Sequence, residues 1–186
     1  MHKTLMFVFS LAVICGQAGA GAQPAAEAVK LAAPPVLDGR LDEPFWRDAR
    51  PLAEFHVFKD QAGRRVNNTE VRLAYDDAWL YLGIKCDNPL QKLVLDPRTR
   101  AHDGPVSEDE SVELFFSSDD AGAAYYHFIL TCFNIRAEQR FIKEVRERET
   151  WNIPWRSAAM AAEGGWTAEM ALPLSHFMEH GELGSW

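Results

Sequence analysis

The strongest constraint on this chain is a rhythm of short apolar runs with alternating side chains, each ended by a turn signal. Val71-Arg72-Leu73-Ala74-Tyr75 alternates, Asp76-Asp77 interrupts, and Trp79-Leu80-Tyr81-Leu82-Gly83-Ile84-Lys85-Cys86 resumes. A period of two sends alternate side chains to opposite faces of an extended chain, so two such runs around a short acidic break predict a hairpin. Residues 111–116, 125–132 and 135–142 predict further strands. Gly164-Gly165 marks a turn, and residues 166–172 alternate until Pro173 ends the run. Residues 174–178 predict one helical turn, and the mixed-sign residues 143–149 read as a solvated loop or a sheet edge. No strand–helix–strand rhythm calls for a parallel sheet. The expected fold is all-β, an antiparallel β-sandwich.

The N-terminal residues follow a different pattern. His2 and Lys3 precede an apolar stretch over residues 5–14, too short to span a bilayer. Ala18-Gly19-Ala20 and Ala20-Gly21-Ala22 offer small residues for a cleavage site. Residues 1–22 are expected to be a secretory signal peptide, with no membrane span in the mature form and a secreted or periplasmic destination. Ala- and Pro-rich residues 23–35 read as a linker, and residues 36–186 as the domain. The close at Gly184-Ser185-Trp186 looks like a strand cut at its start, so the chain is expected to be a fragment.

Composition narrows the function classes. The chain has 186 residues, suited to one domain, with 47% apolar residues, 11 Phe and 6 Trp to fill a core. A net charge of -8 opposes nucleic acid and anionic membranes as partners, because both reward Lys and Arg. Cys86 and Cys132 lie in strand-like runs; they can pair outside the cell or stay as buried thiols. No cysteine–histidine set has zinc spacing. His102, His127, His176 and His180 read as surface histidines. No GxSxG, phosphate loop or local Cys–His signature marks an enzyme, so a non-catalytic domain is expected.

Val36-Leu37-Asp38-Gly39-Arg40-Leu41-Asp42-Glu43-Pro44-Phe45-Trp46 resembles the opening of family 9 carbohydrate-binding modules. Thr69-Glu70-Val71-Arg72-Leu73-Ala74-Tyr75-Asp76-Asp77 with Leu80-Tyr81 is similar to that family's first hairpin. Asp109-Glu110-Ser111-Val112-Glu113-Leu114-Phe115-Phe116 resembles its acidic strand, and Gly165-Trp166-Thr167-Ala168-Glu169-Met170-Ala171-Leu172-Pro173-Leu174 its late strand. The resemblance implies a β-sandwich that binds oligo- or polysaccharide and accompanies a glycosidase in polysaccharide breakdown. It also implies structural calcium and a sugar clamped between two tryptophans. The family's aromatic wall before the acidic strand has no counterpart here, where the chain reads Pro105-Val106-Ser107-Glu108. The other wall would lie beyond Trp186.

Sugar recognition needs flat apolar faces and hydroxyl-binding polar groups. Glu113 matches the family's acidic residue; the competing reading is a paired or solvated strand carboxylate. Trp151 and Trp155, in a loop-like stretch with Asn152 and Pro154, are either stacking platforms or core. Arg136 can fork onto a diol beside Asn134, or be an ordinary surface arginine. Glu108, Asp109 and Glu110 offer calcium oxygens, or form an acidic loop. Trp46 and Trp166 read as core. Two alternatives to sugar binding stand. One is a haem-binding redox domain on a related sandwich, drawing ligands from Met160, Met170, Met178, His127 or His176. The other is a structural or interaction domain with no working sugar site.

Overall fold

The computed structural model of the chain describes residues 5–10, 26–53, 55–56, 65–66, 69–87, 102–104, 106, 110–117, 124–142, 145–147, 151–162 and 164–178. In chain order the elements are β1 (Leu5–Ser10), β2 (Ala28–Lys30), α1 (Pro44–Asp48), β3 (Phe55–His56), β4 (Arg65–Val66), β5 (Thr69–Tyr75) and β6 (Trp79–Asp87). They continue with β7 (Ser111–Ser117), β8 (Ala124–Thr131), β9 (Arg136–Ile142), β10 (Val145–Glu147), β11 (Arg156–Ala162), β12 (Gly165–Pro173) and α2 (Ser175–Met178). One sheet has the order β1-β7-β8-β9-β10 and the other β11-β12-β6-β5-β2, with β3 and β4 as a separate pair.

The expected hairpin is β5–β6, in register from Thr69 opposite Cys86 to Tyr75 opposite Leu80. Asp76 closes it. Its Oδ1 accepts the N–H groups of Ala78 and Trp79 at 2.8 Å, and its Oδ2 the Tyr81 hydroxyl at 2.7 Å. Burial works to raise the Asp76 carboxyl, but these donors outweigh it and hold the group below its ordinary range.

The inner faces of the two sheets share one core. Val71, Leu73, Leu82, Ile84, Trp166, Met170 and Leu172 from one sheet meet Val112, Leu114, Phe116, Tyr126, Phe128 and Leu130 from the other. Phe177 of α2 fits between Phe116 and Tyr126, with ring centroids at 4.9 and 5.1 Å. Each such large side chain contributes about 1.5–3 kcal/mol by leaving water. Cys86 and Cys132 sit in this core as free thiols, and burial pushes the Cys86 thiol up to about 12.

A second apolar cluster covers the outer face of the β6–β12 sheet. It contains Trp46, Ala49, Ala74, Tyr81 and Ala171, with Val29, Leu31, Leu37, Leu41 and Phe45 against it. Trp46 lies over Gly83; a Cβ there would come within 3.0 Å of the Trp46 ring and of Leu41. Glu169, fully buried and directly opposite Gly83, holds this layer down. Its Oε2 accepts the N–H groups of Asp38 and Gly39 at 2.9 and 3.0 Å, and its Oε1 accepts Trp46 Nε1 at 3.1 Å. Pro44 starts α1, where its missing N–H costs nothing. The guanidinium of Arg72 finishes it by donating to the carbonyls of Trp46 and Ala49.

Three strands lie where the sequence pattern marks none. β11 has the sequence RSAAMAA, which lacks the large alternating residues of a strand and is rich in a helix former. Its ladder to β12, folded back around Gly164, imposes the extended form. β2 lies within the stretch expected as a linker and adds in parallel to β5, with Val29 joining the outer cluster. β1 lies within the stretch expected as a leader and pairs in parallel with β7, Met6 opposite Glu113 and Val8 opposite Phe115. The charged stretch expected as a loop or edge contributes the edge strand β10, antiparallel to β9.

Candidate functional site

Alternation within β7, β8 and β9 sends one set of side chains into the core and the other to the outside of the sheet. On the outside, Glu113 stands opposite Ile129, Phe115 opposite His127, and Ala137, Gln139 and Phe141 follow opposite Ile129, His127 and Tyr125. Polar and aromatic groups therefore share one surface. Glu113 Oε2 and His127 Nε2 are 2.8 Å apart, and Phe115 stacks on the His127 ring at 4.1 Å with 13° between planes. Tyr125 and Phe141 stack at 4.5 Å, also at 13°. Glu113, His127 and Gln139 are 6%, 9% and 4% exposed, while Phe115, Tyr125 and Phe141 are half-buried. Val106, Ile129, Ala137 and Ile135 form an apolar patch at one end.

A carboxylate, an imidazole and an amide beside flat rings can accept and donate to hydroxyls and can hold the C–H face of a ring. Glu113 Oε2 and His127 Nε2 are within hydrogen-bonding distance of each other. The His127 imidazole is thus held in one orientation by the carboxylate on one side and by the Phe115 face on the other. His127, expected at the surface, is instead buried, because its place in β8 puts it between β7 and β9.

The other residues singled out from sequence lie elsewhere. Glu138 and Arg136 belong to the opposite alternation of β9 from Gln139. The Arg136 guanidinium donates to the Trp155 carbonyl and lies 5.4 Å over the Trp155 ring. Asn134 occupies a left-handed turn position at φ 60° and accepts Ser157 Oγ at 2.7 Å. Trp155 is 2% exposed, and its Nε1 donates to Glu138 Oε2 at 2.8 Å. Trp151 is half-buried, with its ring 5.1 Å from Tyr126. The structure thus brings Arg136, Asn134 and Trp155 together at one end of the sandwich and leaves Glu113 on the other side of the sheet. Trp46 and Trp166 are in the core, each 1% exposed. Glu110 is half-buried just before β7, and its carbonyl accepts the Cys132 N–H. Glu108, Asp109 and His180 lie outside the described residues. The sequence contains one usable signal for the partners of Glu113: Phe115, Tyr125, His127, Gln139 and Phe141 all fall out of phase with the core residues of their strands.

The fold has counterparts among known proteins. A family model described as carbohydrate family 9 binding domain-like matches residues 37–183. A family 9 carbohydrate-binding module from Caldicellulosiruptor kristjanssonii, solved with cellotriose, is similar at 16% identity and a TM-score of 0.51, covering 80% of this chain and 68% of that one. The module from the same organism solved with glucose gives 16% identity and 0.52, covering 80% and 70%. A candidate carbohydrate-binding protein from Bacteroides uniformis gives 22% identity and 0.59, covering 83% and 74%. At these identities the likeness is one of fold. No curated protein matches the chain.

Proposed function

Because the chain belongs to the carbohydrate family 9 binding domain-like family, we propose that it is an exported domain that binds oligo- or polysaccharide through the outer face of β7, β8 and β9 and performs no chemistry itself. The observation that carries this reading is the convergence of Glu113, His127 and Gln139 beside the Phe115, Tyr125 and Phe141 rings. Glu113 accepts sugar hydroxyls, Gln139 offers both a donor and an acceptor, and His127 holds the Glu113 carboxylate in place. Half-buried rings at the rim supply the apolar contact. The similar folds solved with cellotriose and glucose support β-linked glucose units as the first ligands to try. A glycosidase, as a partner or as a neighbouring domain, is the natural source of substrate contact for such a module.

Calorimetric titration with glucose, cellotriose and xylan fragments tests this reading. Saturable binding is expected, and Glu113→Gln and Gln139→Ala each weaken it by roughly 10–100-fold, the loss of one hydrogen bond to a charged or desolvated group. Repeating the titration after chelation with EGTA tests calcium at Glu108, Asp109 and Glu110; weaker binding or a lower melting temperature supports an ion there. Absence of binding to every glycan by a well-folded protein would reject the sugar reading.

Export is the second part of the proposal. Residues 1–22 act as the leader, so secretion of the full chain yields a mature N-terminus just after Ala20 or Ala22. N-terminal sequencing of exported protein reads this directly, and an intact Met1 would rule it out. Among the described residues no helix is long and apolar enough to cross a membrane.

A further inference from the structure

We propose that His102, Asp103 and Glu138 form a site for a divalent first-row transition-metal ion such as zinc. The short stretch around Asp103 runs along the edge of β9 at Arg136 to Glu138, on the side that β10 leaves uncovered, since β10 pairs only with Arg140, Phe141 and Ile142. Asp103 N–H donates to the Arg136 carbonyl at 3.0 Å, and Glu138 N–H reaches Asp103 Oδ1 at 3.4 Å. This brings one nitrogen and two carboxylates together, with a ligand atom from each residue within 4.8 Å of the others.

The independent observation is at Glu138. Its side chain is fully buried, and Oε1 has no hydrogen-bond partner among the described residues. Oε2 accepts Trp155 Nε1 at 2.8 Å and lies 2.6 Å from His102 Nε2. A buried carboxylate oxygen without a partner carries a desolvation cost that a cation removes. His102 Nε2 and Asp103 Oδ1 are 3.9 Å apart. Ligand atoms bound to one zinc ion at about 2.0–2.2 Å lie roughly 3–4 Å from one another, so small side-chain shifts complete the site. On binding, the imidazole carries its hydrogen on Nδ1 and offers the Nε2 lone pair, while Oε1 of Glu138 turns to the metal. Trp155 Nε1 keeps its bond to Oε2 and orients the carboxylate from behind, the usual role of an outer partner. An imidazole ligand favours zinc, copper, iron or nickel over calcium and magnesium, which take oxygen. Glu138 belongs to the inner alternation of β9, so this site is separate from the Glu113 surface and does not rest on the sugar reading.

The test is titration of the metal-free full chain with zinc chloride, read by calorimetry and by the melting temperature. One ion per chain is expected, with a raised melting temperature. His102→Ala removes an exposed ligand; in EDTA it melts with the wild type, and it binds zinc at least tenfold more weakly. Asp103→Asn weakens binding less, and His176→Ala not at all. Millimolar calcium does not displace the zinc. Failure to bind zinc with a Kd below roughly 100 μM, or equal affinity in His102→Ala and wild type, would overturn the proposal.

Discussion

Replacing Glu169 with alanine is expected to destabilise the domain by about 3 kcal/mol and to lower its melting temperature by roughly 6–12 °C. Three donors, the N–H groups of Asp38 and Gly39 and the Trp46 indole, converge on this one carboxylate. Removing it leaves them facing the outer face of the sheet beside Gly83, with the Gly39 and Trp46 donors buried. A buried donor without a partner costs about 1–3 kcal/mol, and the part-buried Asp38 N–H recovers some of this from water. Burial raises the Glu169 carboxyl above its ordinary range, although bonds from Gly39, Asp38 and Trp46 oppose the shift. A raised native value means that the contribution of the group is fully present below the unfolded value and declines as pH rises through the native one. The difference between wild type and Glu169→Ala should therefore be largest in acid and shrink toward neutrality. Urea unfolding across pH measures it, and a loss below about 1 kcal/mol at every pH would show that the three bonds do not hold this layer.

Gly39→Val should be at least as damaging, at about 3 kcal/mol or more. Gly39 has φ 84°, a region that a β-branched residue enters only under strain. A Cβ there would also lie 3.0 Å from the Ala159 carbonyl carbon and 3.1 Å from the Met160 nitrogen. Both are backbone atoms of β11 and cannot rotate away. Gly39→Ala, milder but subject to the same φ and the same contacts, provides a folded comparison. Because Gly39 and Glu169 close the same contact, the Gly39→Ala, Glu169→Ala double variant should lose less than the sum of the single losses. Strict additivity in denaturant titrations would argue that the two residues act independently.

These two residues also mark how far the sequence could be read. Asp38-Gly39 is legible as a turn and Glu169 as one polar position in an alternating run. Their bond is not legible, because the register of β12 against β6 is what brings Glu169 over Gly83. The β5–β6 hairpin was readable because Val71, Leu73, Leu82 and Ile84 are large, apolar and in phase. β11 was not, since its alanines prefer a helix and only the neighbouring strand makes them extended. The candidate site divides in the same way. Glu113 stands out as a charge between Val112 and Leu114. His127 and Gln139 gain meaning only when β8 and β9 are laid beside it. The apparent openness of the segment around Asn152 and Pro154 likewise concealed that Trp155 faces inward, toward Glu138.

The Glu169 clasp has a further consequence, for the order in which the domain assembles. It joins positions 130 and 131 residues apart, so the N-terminal layer has no anchor until β12 has been synthesised and paired. The β5–β6 hairpin is local and can form early; the Asp38–Trp46 segment must wait, since distant contacts form late at a loop-closure cost. A nascent chain that has not reached Glu169 therefore leaves Trp46, Leu41 and the bare surface at Gly83 unpaired. This long-range dependence makes β12 the element that commits the whole molecule to its native state.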